Sequence, residues 1–262
     1  MAMFLYADSD FTSPYTMSAF VALTEKQLPF EIRTLDLARA ENDAPDYAKT
    51  SLTHRVPTLI DADFAISESS AIAEYLEEVY PDPPIFPADP QMRARARQVQ
   101  AWLRSDFMPI RQERPTTTIF YRPVSTPLSS AAQISSRKLC AAASGLLSHG
   151  GENLFGRWSI ADVDLALMLN RLILNGDDVP IHLVRYAKAQ WERPSVQLWV
   201  RRERPPTLNI PAAGWVIRAR DRPRRPDPES TCPWAACLSA RIRRWGCRRA
   251  DTSSRRCAAI SA

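Results

Sequence analysis

The segment PDPPIFPADP, residues 81–90, contains five prolines in ten residues and divides the chain into parts of different character. Proline removes a backbone donor and fixes φ, so a segment this rich in proline ends regular structure. Strand and helix patterns alternate before it, whereas strand patterns vanish after it. The sequence therefore predicts an α/β domain over residues 1–80, a linker over 81–90 and a separate domain after the linker.

The first part mixes strand and helix periodicities. Helical spacing follows Ser13-Pro14 and recurs over 69–80. Short apolar or alternating runs, typical of strands, lie at 3–8, 30–37, 56–61 and 64–69. A strand–helix–strand unit followed by a hairpin and a helix predicts a small mixed sheet with helices packed on it.

The second part has helical patterns throughout. They cover 91–114, with a kink expected at Pro109, and then 128–149, 159–176 and 181–200. The third of these is apolar nearly all round, which predicts a buried central helix. Ser159 and Asp162 stand at capping-box spacing, which is a structural assignment. Residues 91–200 are therefore predicted to form an all-helical domain.

The cysteines and apolar runs bear on the compartment. Of five cysteines only Cys140 precedes residue 201, which predicts a reducing environment, and Cys140 itself fits a helix face. No apolar run approaches the length of a membrane span, and the first residues lack signal-peptide features. We expect a cytoplasmic protein with no membrane partner. His149 and His182 make no metal spacing with the cysteines, so no metal site is predicted.

Residues 201–262 differ from the rest in charge. They hold 15 arginines, no lysine and five acidic residues, a net charge of +10; the whole chain carries +5, which leaves −5 for residues 1–200. One interpretation is a disordered basic arm that contacts nucleic acid or membranes. Another is a metal site, but no standard zinc motif fits the spacing of Cys232, Cys237, Cys247 and Cys257. We favour a shifted reading frame, which explains the abundance of Arg, Pro, Trp, Ala and Cys.

The dipeptide Ser13-Pro14 admits two interpretations. A serine N-cap before a proline at the first helical position is an ordinary helix start. A helix N-terminus is also positive, so the hydroxyl could hold an anion or a thiolate. A capping hydroxyl accepts through its oxygen and keeps its proton, so the two roles can coexist.

Four motifs, in this order over roughly residues 1–200, together resemble the cytosolic glutathione S-transferase family: TSPYTMSAFVAL, RVPTLID, ISESSAIAEYLEE and SIADVDLAL. The stretch ARARQVQAWLRSDFMPIRQERPT is similar to bacterial members of the YfcF type. The resemblance implies a thioredoxin-like N-terminal domain that binds glutathione. It also implies a helical C-terminal domain that shapes the electrophile site, and a homodimer. The segment after residue 200 departs from the family pattern.

The resemblance assigns the thiol-activating group and the peptide contact. It implies that the Ser13 hydroxyl donates a hydrogen bond to the glutathione sulfur, with Thr12 and Tyr6 as rivals. It also implies that the peptide bond before Pro57 is cis, so that the backbone of Val56 pairs with the cysteinyl part of glutathione. Cysteine is absent before residue 140, which disfavours the branch that forms a mixed disulfide.

The charged ends of glutathione have their own expected partners. By the resemblance, Arg55 contacts a carboxylate, for which a guanidinium is suited, and His54 is a loop residue. Ser69 is expected to cap a helix over 70–79 and to receive the γ-glutamyl carboxylate. Glu68 is expected to pair with the ammonium group.

The activity implied is a glutathione transferase that activates the thiol for attack on a small hydrophobic electrophile or for reduction of a peroxide. Four residues are candidates for the acceptor pocket: Phe11, Trp102, Met108 and Tyr121. A non-catalytic binding or scaffold protein of the same fold is the alternative. A third hypothesis, nucleic-acid binding through the arginine-rich tail, is opposed by the acidic body.

Overall fold

The computed structural model describes residues 3–206. Of the arginine-rich segment it therefore covers 201–206, while the predictions for the remainder and for the cysteines at 232, 237, 247 and 257 lie outside the described residues. The first domain contains four strands and three helices: β1 (Met3–Asp8), α1 (Pro14–Glu25), β2 (Phe30–Leu35), α2 (Pro45–Thr50), β3 (Thr58–Asp61), β4 (Phe64–Ser67) and α3 (Ser69–Val79).

The four strands form one mixed sheet in the order β2-β1-β3-β4. β1 and β2 are parallel and are connected through α1, whereas β3 runs antiparallel to both β1 and β4. The core faces of β1 and α1 are fully buried, with Leu5, Met17 and Leu23 among the completely enclosed side chains. The predicted thioredoxin-like α/β domain is confirmed.

The connection before β3 is more ordered than its polar sequence indicates. A short 3-10 turn at Glu41–Asp43 leads into α2, which begins with Pro45 in the first turn, a position that needs no backbone donor. Tyr47 is the buried residue of this helix. Its hydroxyl donates to the carbonyl oxygen of Arg55 at 2.7 Å, so α2 supports the loop that precedes β3.

The second domain is all-helical, as predicted. Its buried centre is α8 (Ile160–Ile173), which packs against α4 (Pro90–Ser105) and α9 (Ile181–Trp191). Ser159 precedes α8 as N-cap, and the capping box with Asp162 is formed. The helices are α4 (Pro90–Ser105), α5 (Met108–Glu113), α6 (Thr117–Phe120), α7 (Ser130–Leu146), α8 (Ile160–Ile173), α9 (Ile181–Trp191) and α10 (Pro194–Val200).

The single kinked helix predicted over 91–114 is wrong. The chain breaks into α4 and α5 at Phe107, whose φ of 63° lies in the left-handed region. The Phe107 side chain is fully buried and packs edge-on against Trp102. Tertiary packing therefore fixes the break, and Pro109 merely occupies the first turn of α5, where its ring is tolerated.

The two domains share a packed boundary. α1 contacts both α8 and α10. Trp199 of α10 is fully buried, with its ring centroid 5.6 Å from that of Phe11 and 5.2 Å from that of Phe20. Arg193 forms a bidentate salt bridge with Glu25: its Nε donates to Oε1 and its Nη2 to Oε2, at 2.7 Å each. This boundary holds the start of α1 against the helical domain.

The described residues beyond α10 return to the same boundary. Arg204 donates a hydrogen bond to the carbonyl oxygen of Phe11 and lies 4.4 Å above the ring of Phe120. Arg202 lies over the rings of Phe11 and Phe20. Within residues 3–206 no helix is long and apolar enough to span a bilayer.

Candidate functional site

A cleft of about 300 Å³ lies where the loop before β3, the start of α3 and the break between α4 and α5 meet. It brings together five of the residues predicted to bind glutathione or to shape its site, and three that were not predicted. Its lining residues are Tyr15, Arg55, Val56, Pro57, Glu68, Ser69, Arg104 and Arg111.

One wall of the cleft is the segment 55–57. The Val56–Pro57 peptide bond is cis. The carbonyl oxygen of Arg55 accepts hydrogen bonds from the hydroxyls of Tyr47 and Thr58, and this fixes the backbone while the Arg55 side chain stays exposed. His54 lies outside the lining residues and is 3.8 Å from Asp43.

A second wall is the start of α3, where the predicted cap is wrong. Glu68 occupies the N-cap position with φ of 73°, and its side chain makes no capping hydrogen bond. This conformation turns the chain sharply from β4, so Ser69 is already the first residue of the helix. The Ser69 hydroxyl oxygen instead accepts from the Arg104 guanidinium, at 2.9 Å from Nη2 and 3.2 Å from Nε. Helix N-termini carry free N–H groups and a partial positive charge, so this wall suits a carboxylate.

Ser13 is the N-cap of α1. Its Oγ accepts a hydrogen bond from the backbone N–H of Thr16 at 3.2 Å, and its own N–H donates to the carboxylate of Asp8. Ser13 is half-buried and is not among the residues that line the 300 Å³ cleft, although Tyr15, two residues further on, is. The cap interpretation describes the geometry, and the hydroxyl proton stays available to a ligand.

The two rivals of Ser13 have other contacts. The Thr12 hydroxyl donates to Asp8 at 2.9 Å, so its proton is already used. The ring of Tyr6 packs edge-on against that of Tyr47, with centroids 5.1 Å apart, as expected of a strand aromatic. Neither belongs to the cleft lining.

Three residues that line the cleft were not predicted from the sequence: Tyr15, Arg104 and Arg111. An Arg111 guanidinium nitrogen donates to the Tyr15 hydroxyl oxygen at 2.6 Å, and a second donates to the carbonyl oxygen of Arg104 at 2.9 Å. Both guanidinium groups lie 5.8 Å from the centre of the Tyr15 ring. Arg104 lies in the last turn of α4 and Arg111 lies in α5, so the break at Phe107 brings them to the same cleft, and their spacing in the sequence carries no signal for this.

The four candidates for the acceptor pocket lie elsewhere. Phe11 packs on Trp199, and Trp102 packs on Phe107 and donates to Asp106. Met108 is exposed, and the Tyr121 hydroxyl bonds the carbonyl oxygen of Asp10. None of these four described residues lines the 300 Å³ cleft.

Asp162 and Cys140, to which the sequence analysis gave structural roles, do not line the cleft. The buried Asp162 carboxylate accepts from the N–H groups of Leu154 and Ser159, at 2.8 Å each, and from the Tyr186 hydroxyl at 2.9 Å. Cys140 is buried, and burial raises the pKa of its thiol.

The two histidines of the second domain serve local contacts. His149 pairs with the backbone of Gly151, and His182 pairs with the hydroxyl of Ser144. Among residues 3–206 no group of three or more His, Cys, Asp or Glu side chains could hold a metal ion.

Family models match both domains. Residues 12–79 match the glutathione S-transferase N-terminal domain, and residues 89–203 match the C-terminal domain. A solved glutathione transferase homolog from Burkholderia, with bound glutathione, is 49% identical over 76% of this chain and 97% of that one, with a TM-score of 0.64. The chain belongs to the glutathione S-transferase family. Which subgroup of the family it falls in stays a prediction.

Curated relatives of this chain match over a shorter region. Glutathione S-transferase 1 of Dianthus caryophyllus is 37% identical over 90 residues, which is 34% of this chain and 41% of the relative. The probable maleylacetoacetate isomerase of Caenorhabditis elegans is 38% identical over 95 residues, 34% of this chain and 42% of the relative. The chain thus spans about two fifths of the length of these relatives.

Proposed function

We propose that this family member is a glutathione transferase that binds glutathione in the 300 Å³ cleft and activates its thiol. The observation that carries the proposal is the convergence of Arg55, Val56, Glu68 and Ser69 on one cleft, although they come from two separate segments of the sequence. A scaffold that only kept the fold would not need this set.

The charges of the cleft complement glutathione, which has two carboxylates, one ammonium group and a thiol. The start of α3, with the Ser69 hydroxyl and the nearby Arg104 guanidinium, suits the γ-glutamyl carboxylate. The Glu68 carboxylate suits the ammonium group beside it. Arg55 is exposed at the other wall and suits the second carboxylate, while the backbone of Val56 suits the peptide in between.

We assign thiol activation to Ser13. A free thiol has a pKa near ~8.5, and a helix N-terminus with a hydrogen-bond donor lowers it. Ser13 supplies the donor at the N-terminus of α1, since its oxygen accepts from Thr16 and its proton remains free. The thiolate then attacks an electrophile, or reduces a hydroperoxide with a second glutathione to give an alcohol, water and glutathione disulfide. Orientation and thiolate stabilisation supply the rate enhancement.

The remaining expectations are parts of the same proposal. We propose a cytoplasmic homodimer, and the apolar side chains exposed on this chain supply surface for self-association; Leu52 is 94% exposed and Phe64 is 47% exposed.

The test is the ultraviolet difference absorbance of bound glutathione thiolate as a function of pH, for the native protein and for Ser13→Ala. We expect a thiolate well below the free thiol pKa in the native protein and loss of that shift in Ser13→Ala. Equal titrations in both proteins would make Ser13 a cap only, and Tyr15→Phe would be measured next. Absence of glutathione binding would favour the non-catalytic scaffold.

A further inference from the structure

Three arginine side chains converge where the cleft meets the helical domain. Arg104 and Arg111 line the cleft and also a second, smaller cavity of about 20 Å³, which Arg171 of α8 lines as well. Tyr15 lines both cavities. One carboxylate accompanies the three guanidinium groups in this lining: Asp164 lies 3.0 Å from Arg104. The group therefore has a surplus of positive charge.

Arg171 is the most deeply buried member of this group. Its side chain is only 4% exposed, and among the described residues no carboxylate lies within ion-pair distance of it. Its Nη1 donates to the carbonyl oxygen of Arg114, and its Nε is buried without a hydrogen-bond partner. Burial, together with repulsion from Arg111, lowers the pKa of Arg171 to about 10. A buried cation without a counter-charge is costly, so its presence beside a cleft points to an anion supplied from outside the chain.

The hydrogen bonds divide the arginines between two sides of the cleft. Arg104 turns Nε and Nη2 toward Ser69, on the side assigned above to the γ-glutamyl end of glutathione. Arg111, on α5 of the helical domain, instead donates to the hydroxyl oxygen of Tyr15, which lies in the first turn of α1. Because that oxygen already accepts from a cation, the Tyr15 proton is left to donate to a ligand.

We propose that the acceptor molecule carries a carboxylate, which binds to Arg111 and the Tyr15 hydroxyl. Arg171 acts behind them as a positioning residue, since its uncompensated charge strengthens the field at Arg111. This inference rests on the proposed function and names the substrate class of that site. The expected substrate is then an electrophile that carries a negative charge, whereas the sequence analysis expected only a small hydrophobic electrophile.

The test compares two acceptors that differ only in this group: 4-chloro-3,5-dinitrobenzoate and its methyl ester. In both, the glutathione thiolate forms a carbon–sulfur bond at the chlorine-bearing carbon, and chloride leaves with the electron pair of the broken carbon–chlorine bond. The kcat/KM for each acceptor is divided by the uncatalysed rate constant with glutathione. We expect this ratio to be about tenfold or more higher for the carboxylate, the range of a charge-assisted hydrogen bond.

Three variants locate the effect. Arg111→Gln and Arg171→Met are expected to lower the carboxylate-to-ester ratio of these corrected kcat/KM values to near unity, whatever their effect on the rate with the ester. Arg95→Gln, on the same helix as Arg104 but exposed and outside both cavities, is the matched control and should keep the preference. If the buried Arg171 variant fails to fold by circular dichroism, Arg111→Gln carries the test alone.

Glutathione binding, measured separately by calorimetry, distinguishes failure of the proposed function from failure of the carboxylate site. If glutathione does not bind, the proposed function fails. If it binds and the native protein accelerates both acceptors equally, the proposed function stands and the carboxylate site is wrong. If Arg111→Gln weakens the binding of glutathione and lowers the rates with both acceptors alike, the arginines bind the carboxylates or the thiolate of glutathione. That result also overturns the proposal.

Discussion

The ammonium nitrogen of Lys26 lies 2.6 Å from a carboxylate oxygen of Glu77, and both side chains are buried. The pair joins the end of α1 to α3. Lys26 also donates to the carbonyl oxygen of Tyr80, and Glu77 also accepts from the N–H of Ile85 and from Arg93. Two helices and the proline-rich linker thus meet at one buried ion pair.

Replacing one partner of this pair should be strongly destabilising. In Lys26→Met the Glu77 carboxylate stays buried with its main counter-charge removed, and we expect a loss of about 3 kcal/mol in the free energy of unfolding. The exposed pair of Lys49 and Asp46 supplies the control, because Lys49→Met should cost less than about 0.5 kcal/mol. Urea unfolding followed by circular dichroism measures both, and equal costs would contradict the prediction.

The two roles of Ser13 separate in a glycine variant. Glycine is a good N-cap residue but has no hydroxyl, so Ser13→Gly should cost only a few tenths of a kcal/mol, against about 1 kcal/mol for Ser13→Ala. Both variants should lose the lowered pKa of bound glutathione equally. Thermal melts and thiolate absorbance give the two readouts. A glycine variant that kept the thiolate would show that the helix N-terminus alone activates the thiol.

Replacing the Asp162 carboxylate by an amide should destabilise the fold. Asp162→Asn places an NH₂ donor against groups that already donate, namely the N–H groups of Leu154 and Ser159 and the Tyr186 hydroxyl. We expect a loss of about 3 kcal/mol in the free energy of unfolding. Asp89 is an exposed N-cap of α4, and Asp89→Asn should change stability by less than about 0.5 kcal/mol. Chemical denaturation of the two variants tests the contrast.

The Tyr75 phenol should lose its proton at a higher pH than an ordinary tyrosine. Its partial burial and its hydrogen bond to Asp61 raise the pKa of the phenol to about 12. Because the unfolded chain loses this proton near pH ~10, the contribution to stability is present below that pH and is lost as pH rises from about 10 to about 12. Absorbance at 295 nm should show one late-titrating tyrosine fewer in Tyr75→Phe. An unchanged titration in that variant would contradict the assignment.

Leu52 is the residue to change if the protein is a dimer. A leucine side chain that is 94% exposed should be covered by a second copy, so Leu52→Glu should shift the protein from dimer to monomer at micromolar concentration. Leu198→Glu, at a leucine that is 59% exposed on α10, is the control and should leave the mass unchanged. Light scattering after size-exclusion chromatography decides it, and a native monomer would remove the homodimer from the proposal.

Local patterns predicted much of the fold because they carry short-range signals. β1 runs from residue 3 to residue 8 as predicted, and the capping box marks the start of α8 as its spacing indicates. α2 was missed because only Tyr47 is buried in six residues, which leaves no periodicity to detect. The break at Phe107 was missed because the cause is packing of that ring against Trp102, a contact with no local signature.

The site was predictable only where family motifs mark it. Val56, Pro57, Glu68 and Ser69 lie inside quoted motifs, and the structure brings them to one cleft. Arg111 reaches Tyr15 across 96 positions of the chain, and nothing in either segment indicates the other. Such long-range convergence follows from the packing of whole helices.

The short helix α5 has an evolutionary consequence. One residue inserted between the buried Ile110 and Arg111 would rotate Arg111 by about 100° around the axis of α5, since an α-helix has 3.6 residues per turn, and would turn Arg111 away from Tyr15. The walls formed by residues 55–57 and 68–69 would be untouched. Lineages that share this fold could therefore diverge in the acceptors they use through a single insertion or deletion, while inheriting glutathione recognition intact.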